Sequence, residues 1–559
     1  MSNSLDILTE RVDDLPLLLA QLDKMQLATL IDKHFPTHGN WRGLSLGQLT
    51  CVWLAHILVE GNHYLVKVQP WASQLLHTLH ACVGRAVREL DFTDDRLEKV
   101  LDNLAHDGQW QDFEQEFSGQ LVRVYDLETE RVRIDSTTTY HYGSVSPDGL
   151  FQFGHSKDHR PDLPQVKINL ATLDALGLPI STTIVSGNRA DDGLYLPEIK
   201  QVQATLARTG LLFVADCKMG AVAVRAYLQH SQDYYLIPLS RVQLPPAERD
   251  KWLAPVQSGS QLLTNVYQPS PTPSREQLPI ARGYEQIRTL NSAVDDQPII
   301  WQERLLIVQS LKLAQAQTQA LQQRLNQAQV ALACLQPAVG KRGKKRYREV
   351  SELQTAAAAI VTKWQVGGLV QVAVNGSEAA GGLRVEAQVD EQALTEAIFK
   401  LGWHFYVTNQ TAQKLSLEQG VWAYRAEYVV EHNFGRLKGR QLSLRPLQVR
   451  GDERVKGLLR LLSLGLRVFS LLEYQTRRQL KEQKTELVGL YAGNSKRSTA
   501  KPTSESLLKV FKGINLTTIG GIAGTNEVQY HITVLSGLQA RILALLKMPL
   551  AHRLQVKVD

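Results

Sequence analysis

Apolar residues recur every three or four positions between residues 5 and 118, for example at Leu46, Leu49, Val52, Trp53 and Ile57, and again at Leu97, Val100, Leu101 and Leu104. That spacing predicts an all-helical N-terminal domain over residues 1–120, with Thr93 or Asp94 as N-caps and breaks at 35–39 and 59–62. The period changes near residue 121. β-Branched runs at 131–135, 166–172 and 179–185 predict three strands in meander. A helix is then expected over 194–207, a buried strand over 211–216, a short helix over 221–228 and a fifth strand over 233–237. This succession is of the α/β class with a mixed sheet, and it forms the first catalytic segment, residues 121–240.

Residues 241–400 interrupt that sheet. Prolines 245, 246, 269, 271 and 273 mark loops, and strand-like runs lie at 298–309, 367–374 and 383–390. Apolar or small residues at 311, 314, 318, 321, 325, 328, 332 and 335 alternate in steps of three and four, a helical seam whose one polar lapse is Thr318. Val350, Leu353, Ala357, Ile360 and Trp364 predict the return helix of a hairpin. A strand at 403–408 rejoins the sheet, a single helix is expected over about 417–438, and residues 455–474 are apolar nearly all round, hence buried. Residues 401–475 are thus the second catalytic segment. Residues 476–559 form a basic tail with one or two small helices.

Composition adds limits. Of 559 residues, 43% are hydrophobic and 21% charged, which suits several globular domains and excludes a disordered or fibrous chain. Four cysteines without a CxxC pair argue against a disulfide scaffold or zinc ribbon. The acidic start and a mean hydropathy of −0.19 point away from a secretory leader or a membrane span, leaving the cytoplasm, with nucleoid association, as the expected location. Charge is unevenly spread: the chain carries +7 in total, residues 1–120 carry −8, and residues 432–559 carry +14. A C-terminal quarter that basic predicts a polyanionic partner.

Two acids close predicted strands, Asp135 and Asp216. Ligands bind outside strand ends in open α/β sheets, so the pair makes a plausible divalent-cation site, Mg²⁺ preferring hard oxygen ligands. Tyr424, Glu427, Glu431 and Lys438 fall on one stripe of a continuous helix at about 100° per residue. A solvated face with an ion pair would look the same. His155, Asp158, His159 and Asp162 do not match a zinc pattern, and Asp191 or Asp192 reads as an N-cap. A phosphate loop of the GxxxxGK[ST] type does not occur, so no ATP-driven step is indicated.

These segments resemble DDE-class insertion-sequence transposases, in the branch with a tyrosine–arginine–glutamate–lysine signature. The matching pieces are Arg133-Ile-Asp135-Ser-Thr-Thr, Val214-Ala-Asp216-Cys-Lys-Met, Tyr424…Glu431…Lys438, and the stretch from Gly154 to Pro164. The resemblance implies an RNase-H-like mixed sheet split by a large insertion of strands and a helical hairpin. It implies Asp135, Asp216 and Glu431 as metal-holding catalytic acids for two Mg²⁺ ions, with Mn²⁺ as a substitute, and Tyr424 and Lys438 as DNA contacts. Arg425, Lys157 and Arg160 are further candidate DNA contacts, as is the basic turn with Lys341, Arg342, Lys344, Lys345 and Arg346. The signature's arginine position holds Glu427, which could instead be a fourth acid near the metals.

The expected function is metal-dependent cleavage and strand transfer of insertion-sequence ends. The expected partners are double-stranded DNA, as inverted-repeat ends and target, and a second copy of the chain in a homodimer on DNA, with no membrane. Two alternatives are a catalytically silent DNA-binding descendant and a nuclease of the same fold.

Overall fold

The computed structural model describes residues 6–269, 278–335, 347, 349–376, 383–447, 449–494, 496–520 and 529–548. The chain divides into two compact units. One comprises Met1–Val224, Ser231–Asp233 and Ala426–Asp559, the other Arg225–His230 and Tyr234–Arg425.

In the first unit, four strands lie side by side in the order Leu178–Ser186, Gln165–Leu173, Arg131–Tyr140, Leu212–Ala215. The first three are antiparallel neighbours, as the meander predicts, and Arg131–Tyr140 runs parallel to Leu212–Ala215. Gln165–Leu173 is buried along its whole length, its polar face included: Lys167 is paired with Asp191 and Asn169 with Glu198. Arg131–Tyr140 continues five residues beyond Asp135 because Ser136-Thr-Thr-Thr-Tyr140 is itself rich in β-branched residues. Asp135 therefore stands in mid-strand rather than near its end.

Helices cover this sheet. Asp452–Glu482 carries the apolar stretch expected to be buried, and it packs on Leu178–Ser186 and on the helix Asp94–Leu104. Gly457 permits the latter approach, since a Cβ there would lie 2.1 Å from the Leu101 carbonyl oxygen. Arg467, fully buried in the long helix, pairs with the buried Glu114 of the helix Asp107–Tyr125. The other Glu114 oxygen accepts the Thr182 N–H at 2.9 Å, tying both helices to the sheet.

The N-terminal segment is not wholly helical. Asp6–Arg11 is a strand, antiparallel to Asn515–Gly520. Its partner lies some five hundred residues away, so no local period announces it. Buried Glu10 of this strand accepts hydrogen bonds from the Thr78 N–H at 2.8 Å and the Thr78 hydroxyl at 2.5 Å. The basic tail holds two helices, Ser504–Lys509 and Gly537–Leu546, as well as strands. Among the described residues no helix is long and apolar enough to cross a membrane.

A second buried acid gives a pH prediction. Glu198, on the helix Tyr195–Leu206, accepts bonds from Asn169 Nδ2 at 3.0 Å and Thr183 Oγ1 at 2.7 Å. Burial nevertheless pushes its carboxyl up to about 7. A folded-state pKa above the unfolded one stabilises fully below about 4.5, and that contribution is lost as pH rises through about 7. Glu198→Gln should therefore melt above the parent at pH 8, by up to roughly 3 kcal/mol, and match it near pH 5. Melting curves that stay parallel across this range would refute the assignment.

In the second unit the strand order is Tyr234–Pro238, Trp403–Thr408, Gln297–Ser310, Ala281–Val294, Thr264–Val266. Ala281–Val294 and Gln297–Ser310 form one long hairpin through Asp295 and Asp296, both at positive φ (48° and 63°), as a two-residue hairpin turn requires. The predicted seam is the helix Leu311–Ala333, burying Leu321, Leu325, Ala328 and Leu332 against Leu353 and Ala357 of Val350–Lys363. Its polar lapse is satisfied locally, with the Thr318 hydroxyl bonded to the Ala314 carbonyl at 2.8 Å. A two-stranded sheet, Val370–Asn375 with Arg384–Val389, closes this small core.

Instead of one helix over 417–438 there are two, Leu417–Arg425 and Tyr428–Lys438. Ala426 and Glu427 carry an i→i+3 turn, with Val429 and Val430 N–H bonded to their carbonyls. Neither residue is a helix breaker, so the interruption has no local signal. Tyr424 and Glu431 consequently share no continuous helical stripe.

Candidate active site

Asp135 and Asp216 become neighbours through strand register. The parallel ladder pairs Ile134 with Ala215, so the next residue on each strand is one of the two acids. Adjacent strands lie about 4.8 Å apart. Asp216 ends its strand: its carboxylate accepts the Lys218 N–H at 2.9 Å and opens the turn Cys217–Gly220. The same Oδ1 accepts the Tyr195 hydroxyl at 2.6 Å, a bond that fixes the carboxylate's orientation. Burial, and then the adjacent Asp216 charge, push the Tyr195 phenol above its ordinary pKa, so it remains a donor.

Asp135 accepts the Ser136 N–H at 2.7 Å and lies 3.5 Å from the Lys157 ammonium. Lys157 also donates to the Ser136 carbonyl at 2.6 Å and to its hydroxyl at 2.9 Å. Burial raises the Asp135 pKa; Lys157 opposes this and the Asp216 charge adds to it. Beside them Lys167 donates to Asp191 Oδ1 at 2.6 Å. Asp191 thus serves a buried ammonium and makes no side-chain cap, against the sequence expectation.

The helix Tyr428–Lys438 packs over Arg131–Tyr140. Lys438 donates to Thr137 Oγ1 at 2.5 Å and Asp158 Oδ1 at 2.7 Å, and burial lowers its pKa against the pull of Asp158. Asp158 also pairs with Arg445. Glu427, half-buried just before this helix, has a raised pKa, first through burial and then through the charge of Asp135, with Glu431 and Asp216 adding smaller parts. Glu431 is exposed in the first turn.

The remaining sequence candidates are placed as follows. Arg160 bonds to Asp162 at 2.7 Å and stands over the Tyr140 ring. Tyr424 and Arg425 belong to the second unit. There the Tyr424 ring packs on Tyr406 with centroids 4.7 Å apart, and exposed Arg425 donates to Ser310 Oγ at 3.0 Å. Lys341, Arg342, Lys344, Lys345 and Arg346 lie outside the described residues. Tyr195 and Arg445 went unnoticed in the sequence. Tyr195 opens an ordinary helix and carries no motif.

Two neighbouring carboxylates, with a lysine ammonium leaning on one of them, offer hard oxygen donors that suit a divalent cation. Among the described residues no three Asp, Glu, His or Cys side chains already form a metal cage. The donor set fits ions that keep part of their coordination for water and phosphate oxygens.

Comparisons with known proteins identify the family. The family described as "Transposase DDE domain" matches residues 127–466, more than half of the chain, and a domain of unknown function (DUF4277) matches residues 7–115. No curated protein matches the chain. Among solved structures, the chain is similar to a piggyBac transposase in a synaptic complex with hairpin DNA, at 9% identity over 81% of each chain; the TM-score of 0.25 is too low for that likeness to carry an argument. Both acids of the register pair fall inside the matched segment, and the chain belongs to the DDE transposase family: it is a DNA transposase.

Proposed function

We propose that the chain cuts and rejoins DNA at the ends of an insertion sequence, with Asp135, Asp216 and Glu431 as the acids that hold two Mg²⁺ ions, Mn²⁺ substituting. The single observation that carries this reading is the Ile134–Ala215 register, which makes Asp135 and Asp216 neighbours where the parallel ladder ends. The strand order of the first unit, an antiparallel meander with a parallel strand beside its first member, supports an RNase-H-like core.

Glu431 is supported by its place on its helix. Glu427, Glu431 and Lys438 fall within about 40° of one another at 100° per residue. Lys438 of this stripe reaches Thr137, which shares a strand face with Asp135. Glu427 replaces the arginine of the tyrosine–arginine–glutamate–lysine signature and joins the acids as a fourth carboxylate.

Divalent ions, when bound, supply Lewis-acid stabilisation to the attacking and departing oxygens of a phosphodiester. The chain's own groups do the rest. Tyr195 orients Asp216, Lys157 and Lys438 hold the DNA backbone, and Tyr424, Arg425, Arg160 and the basic residues of 341–346 are further proposed DNA contacts. Water first displaces the 3′ oxygen at an element end; the freed 3′-OH then attacks a target phosphodiester and expels its 3′ oxygen. The helices of residues 1–120 and the basic tail are the proposed end-recognition parts, and two copies of the chain would pair two ends.

Incubating the protein with DNA bearing its element's terminal repeats and Mg²⁺ is expected to give breaks at those ends and joined products in an unrelated plasmid. EDTA should abolish both. Breaks without joining would make it a nuclease, and salt-dependent binding with neither would make it a silent descendant.

A further inference from the structure

The strand that carries Asp135 ends in a second feature that the cleavage chemistry does not use. Tyr140, His141, Tyr142, Arg445, Pro446 and Leu447 line a cavity of about 270 Å³. The Tyr140 and Tyr142 rings meet edge to face at 5.7 Å, and Tyr142 is 71% exposed. The His141 ring lies on Phe151 at 4.8 Å, and its Nδ1 accepts the Gly143 N–H at 2.8 Å, which holds the turn after the strand. Two guanidinium groups stand over these rings: Arg445 is 4.8 Å from the Tyr140 centroid, and Arg160 is 5.3 Å from Tyr140 and 6.0 Å from Tyr142. Each is held by an acid, Arg445 by Asp158 and Arg160 by Asp162.

We propose that this cavity is a stacking subsite for one unpaired base of the substrate DNA. An exposed tyrosine ring beside guanidinium groups is what a base and its flanking phosphate call for, because every base offers a π-face and every linkage a negative charge. A protein-facing patch would need more apolar area than two tyrosine rings, one of them largely in water. The position fits as well. Tyr140 is five residues beyond Asp135 on one strand, about 17 Å along it; the odd offset puts its side chain on the other face from Asp135, and Arg445 spans the two faces by reaching both the Tyr140 ring and the Thr139 hydroxyl. The two places are also joined through Asp158, whose carboxylate bonds both Lys438, beside Thr137, and Arg445, over Tyr140. The spacing argument rests on the metal-acid reading of Asp135; the subsite itself needs only DNA as the substrate.

The test uses the full-length protein in EDTA and a duplex with a short single-stranded extension containing 2-aminopurine. Binding should quench the fluorophore by stacking. Tyr142→Ala should lose most of that quench and bind the extended DNA about 5- to 150-fold more weakly, relative to its binding of blunt duplex. Tyr142→Phe should behave as the parent. An unchanged quench in Tyr142→Ala, or equal weakening on blunt and extended DNA, would overturn the proposal. The readout needs neither metal nor cleavage, so a parent protein that stacks the base but never cuts would refute the metal-acid reading and leave this one standing.

Discussion

Asp216→Asn and Asp135→Asn should each slow strand cleavage by at least about 1,000-fold, equivalent to roughly 4 kcal/mol of transition-state stabilisation. Asparagine keeps the shape and can still accept the Lys218 and Tyr195 bonds at position 216. What it removes is the negative charge that a divalent cation needs. DNA affinity measured without metal should hardly change, which separates lost chemistry from lost binding. Glu431→Gln should fall as far if it is the third acid; Glu427 is half-buried and feels the Asp135 charge, so a larger loss from Glu427→Gln than from Glu431→Gln would exchange their roles. Near-parental cutting by either aspartate variant would show that the register pair is not the reaction centre.

Arg467→Ala should destabilise the first unit by about 3–5 kcal/mol, the usual result of removing one partner of a buried pair. Arg467 is fully buried, and Glu114 would be left charged in the core with one oxygen still bound to the Thr182 N–H. The double variant Arg467→Met/Glu114→Gln should recover most of the loss, since the amide oxygen can keep the Thr182 bond and no net charge stays buried. Denaturant midpoints of the parent and the two variants test this. A single variant as stable as the parent would mean that the pair contributes nothing.

The two predictions depend on features of unequal visibility along the chain. Arg467 was visible only as a charge interrupting an apolar helix, and its partner 353 positions away was not. Asp135 and Asp216 were visible as acids set in β-branched or apolar runs, although the run around Asp135 continues to Tyr140. The family motifs around them make the same two acids the proposed site. The helical seam from Leu321 to Leu332 was legible for the same reason as the strands: a repeating period survives without knowledge of the partner.

Other features were hidden. The strand Asp6–Arg11 depends on a partner near the C-terminus. The turn at Ala426 and Glu427 contains no residue that breaks helices, so a continuous stripe from Tyr424 to Lys438 was a reasonable but mistaken extrapolation. Tyr195 lies in an unremarkable helix and matters only because its hydroxyl reaches Asp216 across 21 residues.

Periodicity and local chemistry therefore determined the α/β class and most of the strands, and they singled out the two acids proposed as metal holders. These are properties of neighbouring residues, and side-chain spacing records them directly. Register, pairing and burial decided the rest: that Asp135 meets Asp216, that Lys157 turns inward to that pair, and that Asp158 joins Lys438 to Arg445. Such contacts depend on how segments hundreds of residues apart pack together, which no one-dimensional pattern encodes.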